Sequence, residues 1–347
     1  MWYQNTCIAV VKDALPRTLG ALANALADIF NVALQVVQLT QRLNHFIVIC
    51  DKPYRRFLMI LLFKCFSMLP LWLAHGIGAA LGWLVFAASP TYRRRFLANS
   101  RQAGYTFGQV AGAVASTGRM VGELPRLWMG TRGKRTGIAE VPFTWHQMEN
   151  VQNAYAKGKG VILLTPHLGC FEIVAQAWAQ QFSTELGPMT ALYRPARKVW
   201  MQALVANSRS RKGLQTVPTN LTGVRQMIKA LRKGEAVGLL PDQVPPDGMG
   251  LWAPFFGKDA YTMTLGARLA LQTKAATVLT WGERLSWGRG FRLHFSELSQ
   301  PLSDDLNVAV VQINEAMERV IRQRPQQYLW GYARYKQPRQ QPTGGGE

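Results

Sequence analysis

Residues 160–182 read G-V-I-L-L-T-P-H-L-G-C-F-E-I-V-A-Q-A-W-A-Q-Q-F. Val161 to Leu164 is a continuous apolar run, the pattern of a strand buried on both faces, and from Glu172 onward the pattern turns helical. A strand that passes through a short polar loop into a helix is half of a βαβ unit, and the same order recurs downstream. M-T-A-L-Y (189–193) is a second strand-like run, followed by the helical stretch W-M-Q-A-L-V-A-N-S-R (200–209). G-V-R-Q-M-I-K-A-L-R-K-G (223–234) is a helix stopped by Gly234, and A-V-G-L-L (236–240) is the next apolar run. Strands alternating with helices predict an α/β fold with a mostly parallel sheet flanked by helices. A-A-T-V-L-T-W-G-E-R (275–284) and F-R-L-H-F-S-E-L (291–298) read as late strands paired through S-W-G-R-G (286–290), and the segment 305–322 as the closing helix.

Upstream, Phe57 to Ser89 is apolar apart from Lys64 and His75, long enough for a membrane element, which needs roughly 20 such residues. The expectation is an N-terminal hydrophobic membrane-anchor helix, a single span being favoured. Pro70, Gly76, Gly78 and Gly82 leave room for an interfacial pair of helices, and the alternative is a buried helical hairpin of a soluble fold. Basic clusters K-P-Y-R-R (52–56) and Y-R-R-R (92–95) flank the run on both sides, so the positive-inside rule does not orient it. The first fifty residues have helical periodicity and little charge, and do not read as a signal peptide. The expected division is an N-terminal extension (1–50), membrane anchor with basic flanks (51–95), main domain (96–337) and disordered tail (338–347).

Forty Lys and Arg against nineteen Asp and Glu leave a formal charge of +21, which favours an anionic partner. Nucleic acid is disfavoured, because neither a zinc finger, a basic zipper nor an aromatic-studded basic sheet is legible. Cys7, Cys50, Cys65 and Cys170 show no metal-ligand or disulfide spacing, so no metal site is expected and Cys170 reads as a packing residue.

In a parallel α/β sheet the ligand crevice lies outside the carboxyl ends of the strands. Three of those ends carry a charged or titratable group: His167 after V-I-L-L, Arg194 after M-T-A-L-Y, and Asp242 after A-V-G-L-L-P. Five residues of regular helix turn about 500°, so His167 and Glu172 would point about 140° apart if both were helical. They can cooperate if His167 lies in the loop and Glu172 in the first helical turn, reaching back to the imidazole. A carboxylate so placed would orient the ring and leave its other nitrogen to take a proton from an alcohol. The competing role for His167 is a structural one, capping the loop; for Arg194 and Asp242 it is a mutual ion pair.

H-L-G-C-F-E (167–172) fits the H-x4-(D/E) signature of glycerolipid-type acyltransferases. G-R-M-V-G-E-L-P-R-L-W (118–128), Y-R-P-A-R (193–197), L-L-P-D-Q-V-P-P-D-G (239–248), W-A-P-F-F-G (252–257) and L-W-G-Y-A-R-Y-K (329–336) together resemble the late (secondary) acyltransferases of lipid A biosynthesis. The resemblance implies a glycerolipid acyltransferase-like fold and transfer of a fatty acyl chain from acyl carrier protein to a hydroxyl of an acyl chain on a lipid A precursor. It implies His167 as general base, Glu172 as its orienting carboxylate, and Arg194 and Asp242 as substrate-binding residues. It further implies the bacterial inner membrane, with the main domain as the catalytic domain on the cytoplasmic face, and the acyl carrier protein thioester as donor with no further cofactor. Acyl carrier protein, lipid A precursor and an anionic membrane surface would all answer the positive charge. The aromatic residues of W-A-P-F-F-G and L-W-G-Y either line an acyl tunnel or pack in the core. A related acyltransferase acting on another glycolipid or a lysophospholipid is the alternative.

Overall fold

The computed structural model describes residues 53–129, 131–132, 135–136, 141–193 and 212–340. The expectations for residues 1–52, for the helical stretch 200–209, for Arg194 and for most of the C-terminal tail lie outside the described residues. Residues 58–347 form one compact unit, and the description below concerns it.

The helices are α1 (Pro53–Ser67), α2 (Leu71–Ala88), α3 (Pro90–Gln102), α4 (Phe107–Val110), α5 (Gly112–Met129), α6 (Glu149–Ala156), α7 (Phe171–Gln181), α8 (Leu221–Arg232), α9 (Leu265–Thr273) and α10 (Leu306–Gln323). The strands are β1 (Thr131–Arg132), β2 (Arg135–Thr136), β3 (Phe143–His146), β4 (Val161–Leu164), β5 (Met189–Tyr193), β6 (Leu214–Pro218), β7 (Ala236–Leu239), β8 (Gly250–Phe255), β9 (Lys258–Met263), β10 (Ala276–Arg284) and β11 (Phe291–Glu297).

Seven strands build the main sheet in the order β3-β11-β10-β4-β7-β5-β6. Every neighbouring pair is parallel except β10 with β11, the hairpin expected from the sequence. The apolar run that opened the sequence is β4, all four of its residues buried, between β10 and β7 at the centre of the sheet. Such double burial is why the run does not alternate. β8 and β9, around the turn at Phe256 and Gly257, pair separately and pack on α10. This hairpin was not expected, because Pro254 and the glycines around it obscure a strand pattern.

The apolar segment 57–89 is two helices broken at Leu69–Pro70. α2 buries Leu71, Ala74, His75, Gly78 and Gly82, one face at helical spacing, against α5. The approach is of backbone on backbone. A methyl group on Gly78 would lie 2.5 Å from the Gly118 carbonyl oxygen, and one on Gly122 would lie 2.7 Å from that of Ala74. Among the described residues α2 is the one helix long and apolar enough to cross a membrane by length and composition.

Candidate active site

The loop between β4 and α7 places the histidine. Gly169 has φ +59°, and a methyl group there would collide with the Gly282 carbonyl oxygen, so this position requires glycine. Its N–H donates to the Gln327 carbonyl at 3.0 Å, and its own carbonyl accepts from Arg284 Nη2 at 3.1 Å. The next N–H, that of Cys170, donates to Gly282 O at 2.8 Å, while Leu329 N donates to His167 O at 3.2 Å. The loop is thereby clamped to β10 on one side and to the segment after α10 on the other.

Two adjacent parallel strands bring a histidine and a carboxylate together. Leu164 of β4 stands opposite Leu239 of β7, and His167 and Asp242 each follow three residues later. Both chains therefore leave the sheet at one level, and the side chains meet. Asp242 Oδ1 lies 2.7 Å from His167 Nδ1, and Asp242 Oδ2 accepts the His167 backbone N–H at 2.9 Å. Asp242 is 2% exposed. Burial pushes its carboxyl upward, but the imidazole beside it and the two hydrogen bonds outweigh this and hold it below the usual carboxylate value. The ionised carboxylate accepts Nδ1–H and leaves Nε2 as the basic nitrogen. Nε2 faces the Gln243 side-chain amide at 3.0 Å, and the imidazole ring lies against Phe171.

This pairing corrects the expected one. His167 is in the loop and Glu172 in the first turn of α7, as anticipated, but the carboxylate bonded to the imidazole is that of Asp242. Glu172 Oε2 instead accepts the indole N–H of Trp128 at 3.4 Å. Asp242 was read as a substrate-binding residue, whereas its buried carboxylate faces the histidine. Gln243 was missed; its one sequence signal was its place immediately after Asp242 at a strand end.

Behind the dyad the groups are tightly packed. Tyr328 is buried, and its phenol is pushed well above its usual value by burial and by the Asp242 charge, so it stays protonated. Arg334, 3% exposed, donates to Tyr261 O and Thr262 Oγ1 and stacks on Phe255. Phe255, Phe256 and Trp330 lie in the hydrophobic core, and the cavity they line beside Tyr328 measures about 10 Å³, the room of one water. For those aromatics the structure favours core packing over an acyl tunnel, while Trp252 is 47% exposed.

A second buried cluster holds the clamp. Arg284 donates from Nε and Nη2 to the two oxygens of Glu123 at 2.8 and 2.6 Å, and from Nη1 to Ser116 Oγ at 2.8 Å. His75 of α2 bonds the same carboxylate at 3.0 Å. Burial would raise the Glu123 carboxyl, but Arg284 and His75 bring it down to about 2. The side chain that fixes Gly169 is thus itself fixed by α5 and α2. Among the described residues no group of three or more His, Cys, Asp or Glu is placed to hold a metal ion.

The family model for bacterial lipid A biosynthesis acyltransferases matches residues 49–337, most of the chain. The chain belongs to this family. It is 28% identical over 190 residues to the lipid A biosynthesis palmitoleoyltransferase of Escherichia coli (strain K12), covering 54% of this chain and 60% of that protein. Over 195 residues it is 29% identical to the lipid A biosynthesis lauroyltransferase of the same organism, with the same coverage of 54% and 60%. A lipid A biosynthesis acyltransferase of Haemophilus influenzae is 28% identical over 189 residues, 53% of this chain and 56% of that protein. The matches thus span 56 to 60% of the length of these curated relatives.

Proposed function

We propose that this protein transfers a fatty acyl chain from an acyl carrier protein thioester to a hydroxyl group of a lipid A precursor, with His167 as general base and Asp242 as its orienting carboxylate. The observation that carries the reading is the buried Asp242 carboxylate bonded to Nδ1 of a histidine at adjacent strand ends, in a chain of this family. The acceptor hydroxyl takes the place of the Gln243 amide at Nε2. Its oxygen attacks the thioester carbonyl carbon as its proton passes to Nε2. Asp242 stabilises the resulting imidazolium. The carbon–sulfur bond then breaks, and the departing thiolate takes the proton from Nε2, which restores neutral His167. No cofactor beyond the donor thioester enters this scheme. Arg194, one residue past the end of β5, is proposed on the family resemblance as a group for the anionic substrate.

The formal charge of +21 supports acidic acyl carrier protein and phosphate-bearing lipid A precursor as partners, and an anionic membrane surface as the workplace. The proposed location is the cytoplasmic face of the bacterial inner membrane. The test is transfer of radiolabelled acyl groups from acyl carrier protein to lipid A precursor or to lysophosphatidate, with His167→Ala as control. Label on the lipid A precursor, lost in the variant, is the expected result. Label only on lysophosphatidate would overturn the acceptor, and an undiminished His167→Ala rate would overturn the base.

A further inference from the structure

We infer that α2 does not cross a bilayer but lies in the plane of an anionic membrane surface, docking the domain through one continuous apolar face. The inference deepens the membrane partner proposed above by naming the mode of attachment and the residues that make it.

The face is built from several elements. On α2, Trp72, Leu81, Trp83, Leu84 and Val85 are exposed; Trp72, Trp83 and Leu84 lie on the side away from the residues buried against α5, and Leu81 and Val85 border that buried stripe. At its N-terminal end stand Met68, 60% exposed, and Trp287 at the tip of the β10–β11 hairpin, 89% exposed. That tip is seated on α2, since a methyl group on Gly288 would collide with the Trp72 backbone nitrogen. Exposed tryptophans of this kind suit the interface, where an apolar ring and a polar N–H are both accommodated.

Cations mark both ends of the strip. Exposed Arg289 follows Trp287, and exposed Arg94 and Arg95 follow the C-terminus of α2. Arg93 Nη1 donates to the terminal carbonyls of Phe86 and Ala87. An apolar strip ending in arginines matches acyl chains below anionic headgroups. In a symmetric pair of copies the same arginines would fall on a surface bearing like charge, which disfavours a second copy as the occupant.

Packing, not length, argues against a span. Eighteen helical residues extend about 27 Å, close to the hydrocarbon thickness. α2 is locked to α5 by backbone contact at Gly78, Gly82, Gly118 and Gly122, and its His75 shares the Glu123 carboxylate with Arg284 of the sheet. Carrying α2 across the bilayer would take α5, with Arg119, Glu123 and Arg126, and the edge of β10 into hydrocarbon. Only the outer face of α2 is free to meet lipid.

The test uses the full chain and vesicles of phosphatidylcholine with or without phosphatidylglycerol. Flotation should show preferential, salt-sensitive binding to the anionic vesicles. It should weaken by about tenfold or more in Trp72→Ser/Leu84→Ser/Trp287→Ser, whose changed side chains are exposed and whose melting curve checks the fold. Spin labels at positions 73, 80 and 87, one stripe that covers both ends and the middle of α2, with Cys7, Cys50 and Cys65 replaced by Ser, should report one shallow depth. A depth maximum in mid-helix, with shallow ends, would mean a span and overturn the inference. So would vesicle binding unaffected by the triple change, or a dimer in sedimentation that the triple change dissociates. His167→Ala should float like the parent, so failure of the docking face and failure of the catalytic reading are separately visible.

Discussion

Replacing Asp242 with Asn tests the dyad most directly, because the change keeps the shape and removes the charge. The carboxylate accepts two N–H groups, from Nδ1 at 2.7 Å and from the His167 backbone at 2.9 Å. An asparagine offers one acceptor oxygen and one NH2. If the oxygen serves the backbone, the NH2 faces Nδ1 and selects the tautomer with hydrogen on Nε2, which cannot act as the base. If the oxygen serves Nδ1, the NH2 faces the backbone N–H and both donors are frustrated. The charge term is also lost: an imidazolium and a carboxylate with centres about 4 Å apart attract by about 4 kcal/mol at an effective dielectric of about 20. That corresponds to about 10³ in rate, and tautomer selection adds to it, so a fall of about 10³ to 10⁴ in kcat is expected. The assay is acyl transfer to lipid A precursor at saturating donor, with a melting curve to show that Asp242→Asn folds. Glu172→Gln, which keeps an acceptor for the Trp128 indole, should lose less than about tenfold. A folded Asp242→Asn protein within tenfold of the parent, or a Glu172→Gln protein the more damaged of the two, would refute the assignment.

Arg284→Met breaks a fully buried ion pair and strands the Glu123 charge; unfolding should show a loss of about 3 to 5 kcal/mol. Because the folded Glu123 carboxyl sits at about 2, below its ordinary 4.5, its contribution is fully present above about pH 4.5. It should fade as pH falls toward 2, by on the order of 3 kcal/mol, and urea titrations at stepped pH will read it as a slope that Glu123→Gln lacks. Gly118→Ala forces a methyl group into the Gly78 carbonyl, and thermal unfolding should report a cost of about 1 to 3 kcal/mol. Gly169→Ala combines a collision with an unfavourable φ of +59°, and should cost more activity than Gly158→Ala, where φ is +68° but the space is open.

Five of the seven strands of the main sheet were legible because their periodicities are local, whereas β3 and β6 were not read. The expected runs at 160–165, 189–193, 236–240, 275–284 and 291–298 match β4, β5, β7, β10 and β11 to within one or two residues at each end. The closing helix and the helix after Cys170 were equally plain. β8 and β9 were not, since a strand written W-A-P-F has no alternation to detect. The long apolar segment read as a membrane anchor; composition alone does not distinguish lipid from a partnering helix, and the structure adds that one face of α2 packs on α5. Gly78 and Gly82, which looked like breaks in it, are where α2 and α5 touch, while Gly76 faces open space.

What the sequence determined by itself is that strands alternate with helices and that polar groups follow the strands, because hydrophobic period and loop placement are properties of contiguous residues. It also placed His167 in the loop and Glu172 on the helix. Which carboxylate meets the imidazole was decided only by the tertiary structure. β5 and β6 intervene in the chain between β4 and β7, yet β4 and β7 are neighbours in the sheet, and their register puts His167 and Asp242 at equal height. Strand order is a matter of long-range pairing, so a carboxylate 75 residues away reaches Nδ1, while the one five residues away, carried round by the first turn of α7, bonds to Trp128.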